Sequence, residues 1–347
     1  MADGMSVQEH DRTAVEAASG LSIFYAPESA AERWLRDESV LGLIRFGSHT
    51  AISATDPRDM SIALPQLGPQ RRIEVWRTQL PITRARDGDL HYATDGEIVF
   101  GHLLIDEGDG SDLSSIARNG YARILALVDR LGYRHLVRLW NYFSRINAEA
   151  ERLERYRAFC VGRYEAFEAS GLEEHRLAAA SAIGTQAPGV LLYFLAARQP
   201  GVPIENPRQV SAYRYPKRYS PRRPLFSRAM LKRWNGSTHL YVSGTASVVG
   251  HRTYHPGNTI EQLRETARNV EAIVARAREL QPVALHSAAG LTQVKIYLRN
   301  PEDLFRVQPE VDRLFSPNLA RVYLHADICR ADLLLEMDAF YCESSTP

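Results

Sequence analysis

Apolar and polar positions along the first 200 residues predict short strands mixed with helices. The runs LSIFYA and EIVFGHLLI have the composition of strands. The run IARNGYARILALVDRLGY predicts a helix, because its apolar residues recur at helical spacing. A second helical pattern covers roughly residues 147–170, and residues 1–20 read as a flexible tail.

The pattern becomes more regular after residue 235. HLYVSGTASVVG predicts a strand with a glycine-bearing turn, and NTIEQLRETARNVEAIVARAREL predicts a long helix. Asn258 or Thr259 can cap this helix, with Glu261 placed as in a capping box. The strand TQVKIYLRN, the helix PEDLFRVQPEVDRLF and the strands ARVYLHA and LLLEMDAFY follow. This order predicts an α+β fold, with helices on one face of a mixed sheet.

The segment between these halves is rich in proline and basic residues. Five prolines within residues 201–235 argue against a long helix or a central strand. Between Asn206 and Trp234 there are nine Lys or Arg residues, no Asp or Glu, and several interleaved aromatic residues. Two interpretations stay open, a solvated connecting loop and an anion site with aromatic walls. RNA binding would use the same residues, but the rest of the chain has no basic surface to support it.

The last strand pattern, LLLEMDAFY, places polar residues on one face. Alternation puts Glu336, Asp338 and Phe340 on one side, with Leu335 and Met337 among those on the other. The polar face looks either into solvent or into a pocket, and the pattern alone leaves both open.

Composition and charge exclude several classes of protein. The 347 residues suffice for two domains, and a net charge of +1 gives no overall nucleic-acid or membrane signature. The three cysteines have no metal-site spacing, and His251 and His255 lack a third ligand nearby. No nucleotide-binding motif, apolar leader segment or membrane-length apolar run occurs. We therefore expect a soluble, cytoplasmic protein without metal or cofactor.

Several motifs resemble known families. Arg321 and Glu336 stand fifteen positions apart, as do a carboxylate-binding arginine and a glutamate in the YjgF/RidA family. A larger part of the chain resembles the bacterial chorismatases, which share that fold. The matching stretches are WNYFSRIN, YRAFCVGRYEAF, AIGT, ENPRQVSAYRYP, FSRA, SGTASVVGHRTYHPGN and ADICRADLLLE. The resemblance implies two YjgF/RidA-like domains, a diverged one over residues 21–200 and a catalytic one over residues 201–347.

The resemblance to chorismatases also implies a set of site residues. Chorismate carries two carboxylates, which arginine and tyrosine side chains would bind. The implied substrate-binding residues are Arg157, Arg163, Tyr213, Tyr215, Arg228, Gly244 and Arg321. Glu336 is the implied general acid that protonates the enol ether. Cys329 is the implied directing residue, without a covalent adduct, and Gly244 would give room to a shifted ring.

Gly244 and Cys329 are the residues that the resemblance associates with aromatising chorismatases. The implied reaction converts chorismate to 3-hydroxybenzoate, with or without 4-hydroxybenzoate, and pyruvate, for an aryl-derived pigment, quinone or polyketide. Three alternatives stay open at this point. They are a hydrolase that forms a dihydroxycyclohexadiene carboxylate, a RidA-like imine deaminase, and a non-catalytic protein that binds aromatic metabolites. The expected oligomeric state is a monomer or a homotrimer.

Overall fold

The computed structural model describes residues 20–108, 112–150, 153–217, 219–234, 237–281 and 283–344. The tail predicted for residues 1–20 lies outside these ranges, apart from its last residue. The strands of the first sheet and the helix packed on it are β1 (Leu21–Pro27), α1 (Ala31–Arg36), β2 (Val40–Phe46), β3 (Ala51–Ile52), β4 (Asp59–Ile62) and β5 (Arg72–Thr78). The strand order in this sheet is β1-β5-β2-β4-β3.

The second sheet has seven strands, and two helices pack on one of its faces. The elements of this region are β6 (Thr83–Asp87), β7 (Leu90–Thr94), β8 (Ile98–Ile105), α2 (Leu113–Arg130), β9 (His135–Ser144), β10 (Glu149–Ala150), β11 (Leu153–Glu154), α3 (Arg155–Ala169), β12 (Ala179–Thr185) and β13 (Val190–Ala197). The helix predicted from residue 147 begins only at Arg155, because β10 and β11 pair as a short hairpin before it. That helix boundary was wrong by about two turns.

The third sheet has six strands and also carries two helices on one face. The elements of this region are β14 (Val202–Ile204), β15 (Ala229–Trp234), β16 (Ser237–Thr245), β17 (Val248–Val249), β18 (Arg252–Thr253), α4 (Thr259–Leu280), β19 (Gln293–Leu298), α5 (Leu304–Leu314), β20 (Ala320–His325), β21 (Asp327–Ile328) and β22 (Leu335–Ser344). The predicted cap of α4 is confirmed, since the side chain of Asn258 accepts a hydrogen bond of 3.1 Å from the amide of Glu261. Among the described helices, none is both long and apolar enough to span a membrane.

The second and third sheets repeat one topology. In each, a strand hairpin leads into a helix, a strand, a second helix and a strand parallel to the previous one. The remaining strand, β13 or β22, is inserted at the centre and is antiparallel to both of its neighbours. The predicted α+β class, with two related halves and helices on one face of each sheet, is confirmed. The domain boundary at residues 200 and 201 stays a proposal.

A common apolar core joins the three sheets. Each contributes its helix-free face to one cluster, with Trp76 from the first sheet, Trp140 from the second and Tyr297 from the third. The second and third sheets also meet directly beside β12. There Ser227 donates its amide to the carbonyl of Ala178 over 3.0 Å, and β21 pairs with β12. This seam between the sheets is where polar side chains gather.

Candidate active site

A cavity lies at the seam, between α3, β12, β16 and β22. The residues that line it are Tyr156, Arg163, Ala180, Ser181, Ala182, Phe226, Gly244, Cys329 and Glu336. A second cavity lies between the three sheets. Its buried charges already pair with each other, Lys295 with Glu74 at 2.9 Å and Arg138 with Asp338 at 3.0 Å. The seam cavity is therefore the better candidate for binding a charged ligand.

Glu336 supplies an acid to the seam cavity. It lies on β22 and is 4% exposed, and the next residue, Met337, packs under the helices as the alternation predicted. Burial, together with the smaller effect of the negative charge of Asp338, raises the pKa of Glu336 from 4.5 to about 8. Arg138 and Arg228 act in the opposite direction but do not offset the burial. At neutral pH the carboxyl group is therefore protonated and able to donate a proton.

Gly244 lies directly against this acid. The pairing of β16 with β22 shifts register between Val242 and Thr245, which places Gly244 in a bulge. A Cβ atom added to Gly244 would overlap Oε1 of Glu336 and would lie 3.1 Å from Oγ of Ser181. In this structure the missing side chain makes room for the glutamate, whereas the sequence-based hypothesis assigned that room to the substrate ring.

Cys329 lines the same cavity, immediately after β21. Burial raises the pKa of its thiol, and the nearby charge of Glu336 raises it further. A thiol with a raised pKa stays protonated and is a poor nucleophile. Cys329 can therefore serve as a weak S–H donor toward a bound ring, in agreement with a directing role and without a covalent adduct.

Two buried arginines supply positive charge. Arg163, on α3, is 1% exposed, and Arg228, just before β15, is 6% exposed. Within the described ranges neither forms an ion pair with a carboxylate, and the Nε atom of each has no hydrogen-bond partner. A buried cation without a carboxylate partner is costly, and such groups commonly serve a ligand. Arg163 lines the seam cavity, whereas Arg228 lies behind its lining residues and acts on Glu336 through its charge.

Side chains of the basic segment contact one another and their neighbours near the cavity. Arg228 donates to the hydroxyl of Tyr215 over 2.8 Å and to the carbonyl of Val210 over 2.9 Å. The guanidinium of Arg330, next to Cys329, stacks on Tyr219 at 4.5 Å from the ring centre. The segment thus packs aromatic rings and an arginine beside the cavity, as the anion-site interpretation requires.

Three predicted substrate-binding residues lie elsewhere. Arg157 pairs with Glu154 at 2.9 Å, and its side chain is 39% exposed. Tyr156 and Arg163 are seven residues apart on α3, so their side chains lie on the same face of the helix, and both line the cavity. Arg157 lies on a different face. Tyr213 packs against the core beneath α2 and α3 and does not line the cavity.

Arg321 lies on the opposite face of the third sheet from Glu336. Arg321 is paired with Val294 on β19, and Glu336 is paired with Tyr297. Val294 and Tyr297 are three residues apart on one strand, so their side chains point to opposite faces of the sheet. The side chains of Arg321 and Glu336, which are paired with them, therefore also point to opposite faces. Arg321 forms an ion pair with Asp312 on α5 instead. Its placement gives no support to a role in this cavity.

Ser181, Arg138 and Tyr156 were not among the site residues predicted from the sequence. The pattern held a signal for the first two, because a serine and an arginine interrupt the buried strands β12 and β9. Tyr156 lies within the quoted stretch YRAFCVGRYEAF but was not singled out. In the described part of the chain, no three His, Cys, Asp or Glu side chains lie together in a way that could hold a metal ion.

Comparisons with known proteins all indicate one family. A family model described as "Chorismatase FkbO/Hyg5-like, N-terminal" matches residues 74–196. A 3-hydroxybenzoate synthase of Streptomyces hygroscopicus is 35% identical over 311 residues, which are 86% of this chain and 91% of the relative. A chorismatase of the same organism is 35% identical over 87% of this chain and 89% of its own length. A crystal structure of a chorismatase matches with a TM-score of 0.85 and 32% identity, covering 93% of this chain and 98% of that one.

Proposed function

The chain belongs to the chorismatase family, and from that premise we propose that it converts chorismate to 3-hydroxybenzoate and pyruvate. One observation supports this most strongly. The protonated carboxyl of Glu336 faces a cavity that also holds Cys329 and a buried arginine without a carboxylate partner. A proton donor and fixed positive charge in one small cavity suit a dianionic enol ether.

Substrate binding uses the buried arginine of the cavity. Arg163 has an Nε–H without a partner, so it can donate to a carboxylate. Phe226 and Tyr156 provide apolar surface for the ring. Binding a dianion also adds negative charge near Glu336, which raises the pKa of this acid further and keeps it protonated.

The reaction begins with transfer of the Glu336 proton to the methylene carbon of the enolpyruvyl group. The ether bond to the ring then breaks, and the ether oxygen leaves as the keto oxygen of pyruvate. The neighbouring ring hydroxyl attacks the carbon left behind and loses its proton, which returns to the Glu336 carboxylate. The arene oxide formed in this way opens, its oxygen takes up a proton and the ring carbon loses one, which gives hydroxybenzoate. No water is consumed, since chorismate has the composition of hydroxybenzoate plus pyruvate.

Cys329 and Gly244 direct this outcome. The thiol of Cys329 donates weakly to the ring intermediate, and Gly244 lets the acid rest against the backbone. If water attacked the ring instead, the product would gain one water molecule and become a dihydroxycyclohexadiene carboxylate. Formation of some 4-hydroxybenzoate would follow from opening the other epoxide bond.

The test is to incubate the purified protein with chorismate without an added cofactor. Products are separated by chromatography against authentic standards, and pyruvate is measured with a coupled lactate dehydrogenase assay. We expect one pyruvate per hydroxybenzoate, and a single deuterium in the pyruvate methyl group when the reaction runs in heavy water. A dihydrodiol product would favour the hydrolase, and turnover of 2-iminobutyrate without turnover of chorismate would favour the deaminase. Binding without turnover would leave only the non-catalytic alternative.

We propose domains at residues 21–200 and 201–347 in a soluble, cytoplasmic enzyme. Since three sheets of one chain already share a core, we propose that the monomer is the active unit. Size-exclusion chromatography with light scattering distinguishes it from a homotrimer.

A further inference from the structure

Ser181 connects the acid site to a buried ion pair. Its Oγ atom accepts a hydrogen bond of 2.9 Å from the amide of Gly244 and one of 2.6 Å from Nη2 of Arg138. Both partners are donors only, so the serine proton must point to its third partner, Oδ1 of Asp338. All three hydrogen-bonding positions of this hydroxyl are therefore used, and its orientation is fixed.

Asp338 is itself held by several donors. Its Oδ1 accepts from Ser181 and faces Arg138 at 3.0 Å, and its Oδ2 accepts from Trp140 over 3.1 Å and from Tyr297 over 3.0 Å. These donors come from three different strands, β9, β12 and β19. The Asp338 carboxylate is thus held in a fixed position by side chains from both the second and the third sheet.

Glu336 lacks such support of its own. Within the described ranges its carboxyl group has no hydrogen bond to the protein. The Glu336 carboxyl group is instead positioned by the backbone of Gly244, because Oε1 fills the space where a side chain at residue 244 would begin. Gly244 lies in a bulge, where the regular pairing with β22 is interrupted and cannot fix the backbone. The amide of Gly244 is bonded to Ser181 instead.

We propose that Ser181 is a positioning residue, whose hydroxyl fastens the bulged backbone at Gly244 to Asp338 and thereby holds the Glu336 carboxyl in place for proton transfer. This inference rests on the proposed function. Removal of the hydroxyl frees the Gly244 bulge, and the carboxyl group that leans on it shifts. Proton transfer is sensitive to such shifts, since a displacement of about 1 Å costs up to about a hundredfold in rate.

The test compares Ser181→Ala and Ser181→Thr with the wild type. For Ser181→Ala we expect kcat to fall by about tenfold to a hundredfold, with KM within about twofold, because the arginine that binds the substrate is untouched. The threonine variant keeps a hydroxyl and should recover most of kcat. Ser247→Ala is the matched control, because Ser247 is fully buried and its hydroxyl donates to the carbonyl of Tyr254 over 2.8 Å. It should lower the melting temperature without the selective loss of kcat.

Three results would overturn the inference. They are an unchanged kcat in Ser181→Ala, a loss of kcat that Ser247→Ala reproduces, and a loss that Ser181→Thr does not recover. If Ser181→Ala does not fold, Ser181→Cys takes its place, because a thiol has a similar shape but is a weak hydrogen-bond partner. A wild-type protein that releases no pyruvate from chorismate would instead refute the proposed function, so the two failures are distinguishable.

Discussion

Replacing Glu336 by glutamine should make the protein more stable as well as inactive. In the folded protein the pKa of Glu336 rises from 4.5 to about 8, chiefly through burial. An acid whose pKa is higher in the folded state contributes stability that is complete below about pH 4.5 and is lost as the pH rises to about 8. With each pKa unit equivalent to about 1.4 kcal/mol, the loss across this window is roughly 5 kcal/mol, of which about 3 kcal/mol has occurred by pH 7.

Glutamine keeps the shape of the protonated carboxyl group but does not titrate. The free energy of unfolding of Glu336→Gln should therefore exceed that of the wild type by about 3 kcal/mol at pH 7. The difference should shrink toward zero near pH 4.5, where both side chains are neutral. All other ionisable groups are common to both proteins, so the difference between the two curves isolates Glu336. Activity should fall by about a hundredfold or more, because the proton donor is gone.

The assay is urea unfolding of both proteins at a series of pH values from about 5 to 8, followed by tryptophan fluorescence. Equal m-values in the two proteins would show that the same unfolding transition is being compared. A difference in unfolding free energy that does not vary with pH would refute the raised pKa of Glu336. If the variant lost activity but the stability difference did not vary with pH, Glu336 would still be catalytic. Burial would then not explain why it holds a proton at neutral pH.

Three further substitutions test neighbouring contacts. Gly244→Ala should displace the Glu336 carboxyl, because its Cβ would overlap Oε1, so hydroxybenzoate should fall and the dihydrodiol share should rise by chromatography. An unchanged product ratio would contradict this. Asp338→Asn removes a charge that raises the pKa of Glu336, so the basic limb of the pH profile of kcat should move to lower pH. A basic limb that stays in place would show that Asp338 does not act on the acid. Arg163→Lys should lower kcat/KM by about tenfold or more, because a forked donor to carboxylate is lost. Arg118→Lys is the control and should change little, because the side chain of Arg118 is 49% exposed and pairs with Glu165 at the surface.

Much of the fold could be predicted from local patterns. The alternation along LLLEMDAFY assigned Glu336 and Asp338 to one face of β22, and the structure buries both on that face. The cap of α4 was predicted at Asn258 or Thr259, because a cap involves residues only three positions apart, and the structure places it at Asn258. The boundary of α3 could not be predicted in the same way. Its preceding residues form a hairpin, and pairing between strands overrides helical periodicity.

The sequence by itself determined the chemistry that is available, namely a glutamate and a cysteine near the end of the chain and arginines among aromatic residues in a basic segment. It also determined which residues share a strand face, because that follows from a period of two. Only the tertiary structure decided which arginines reach the acid. Arg163 does so from α3, and Arg228 does so from the segment before β15. Arg321 stands at the family spacing from Glu336 in the sequence, but it points to the other face of its sheet.

The protonation state of Glu336 was also decided by the tertiary structure. The physical reason is that burial and neighbouring charges depend on distances in space, which strands from distant parts of the chain determine together. Ser181, 155 residues before Glu336, meets Gly244 only because β12 and β16 lie side by side at the seam. No spacing along the chain indicates that contact.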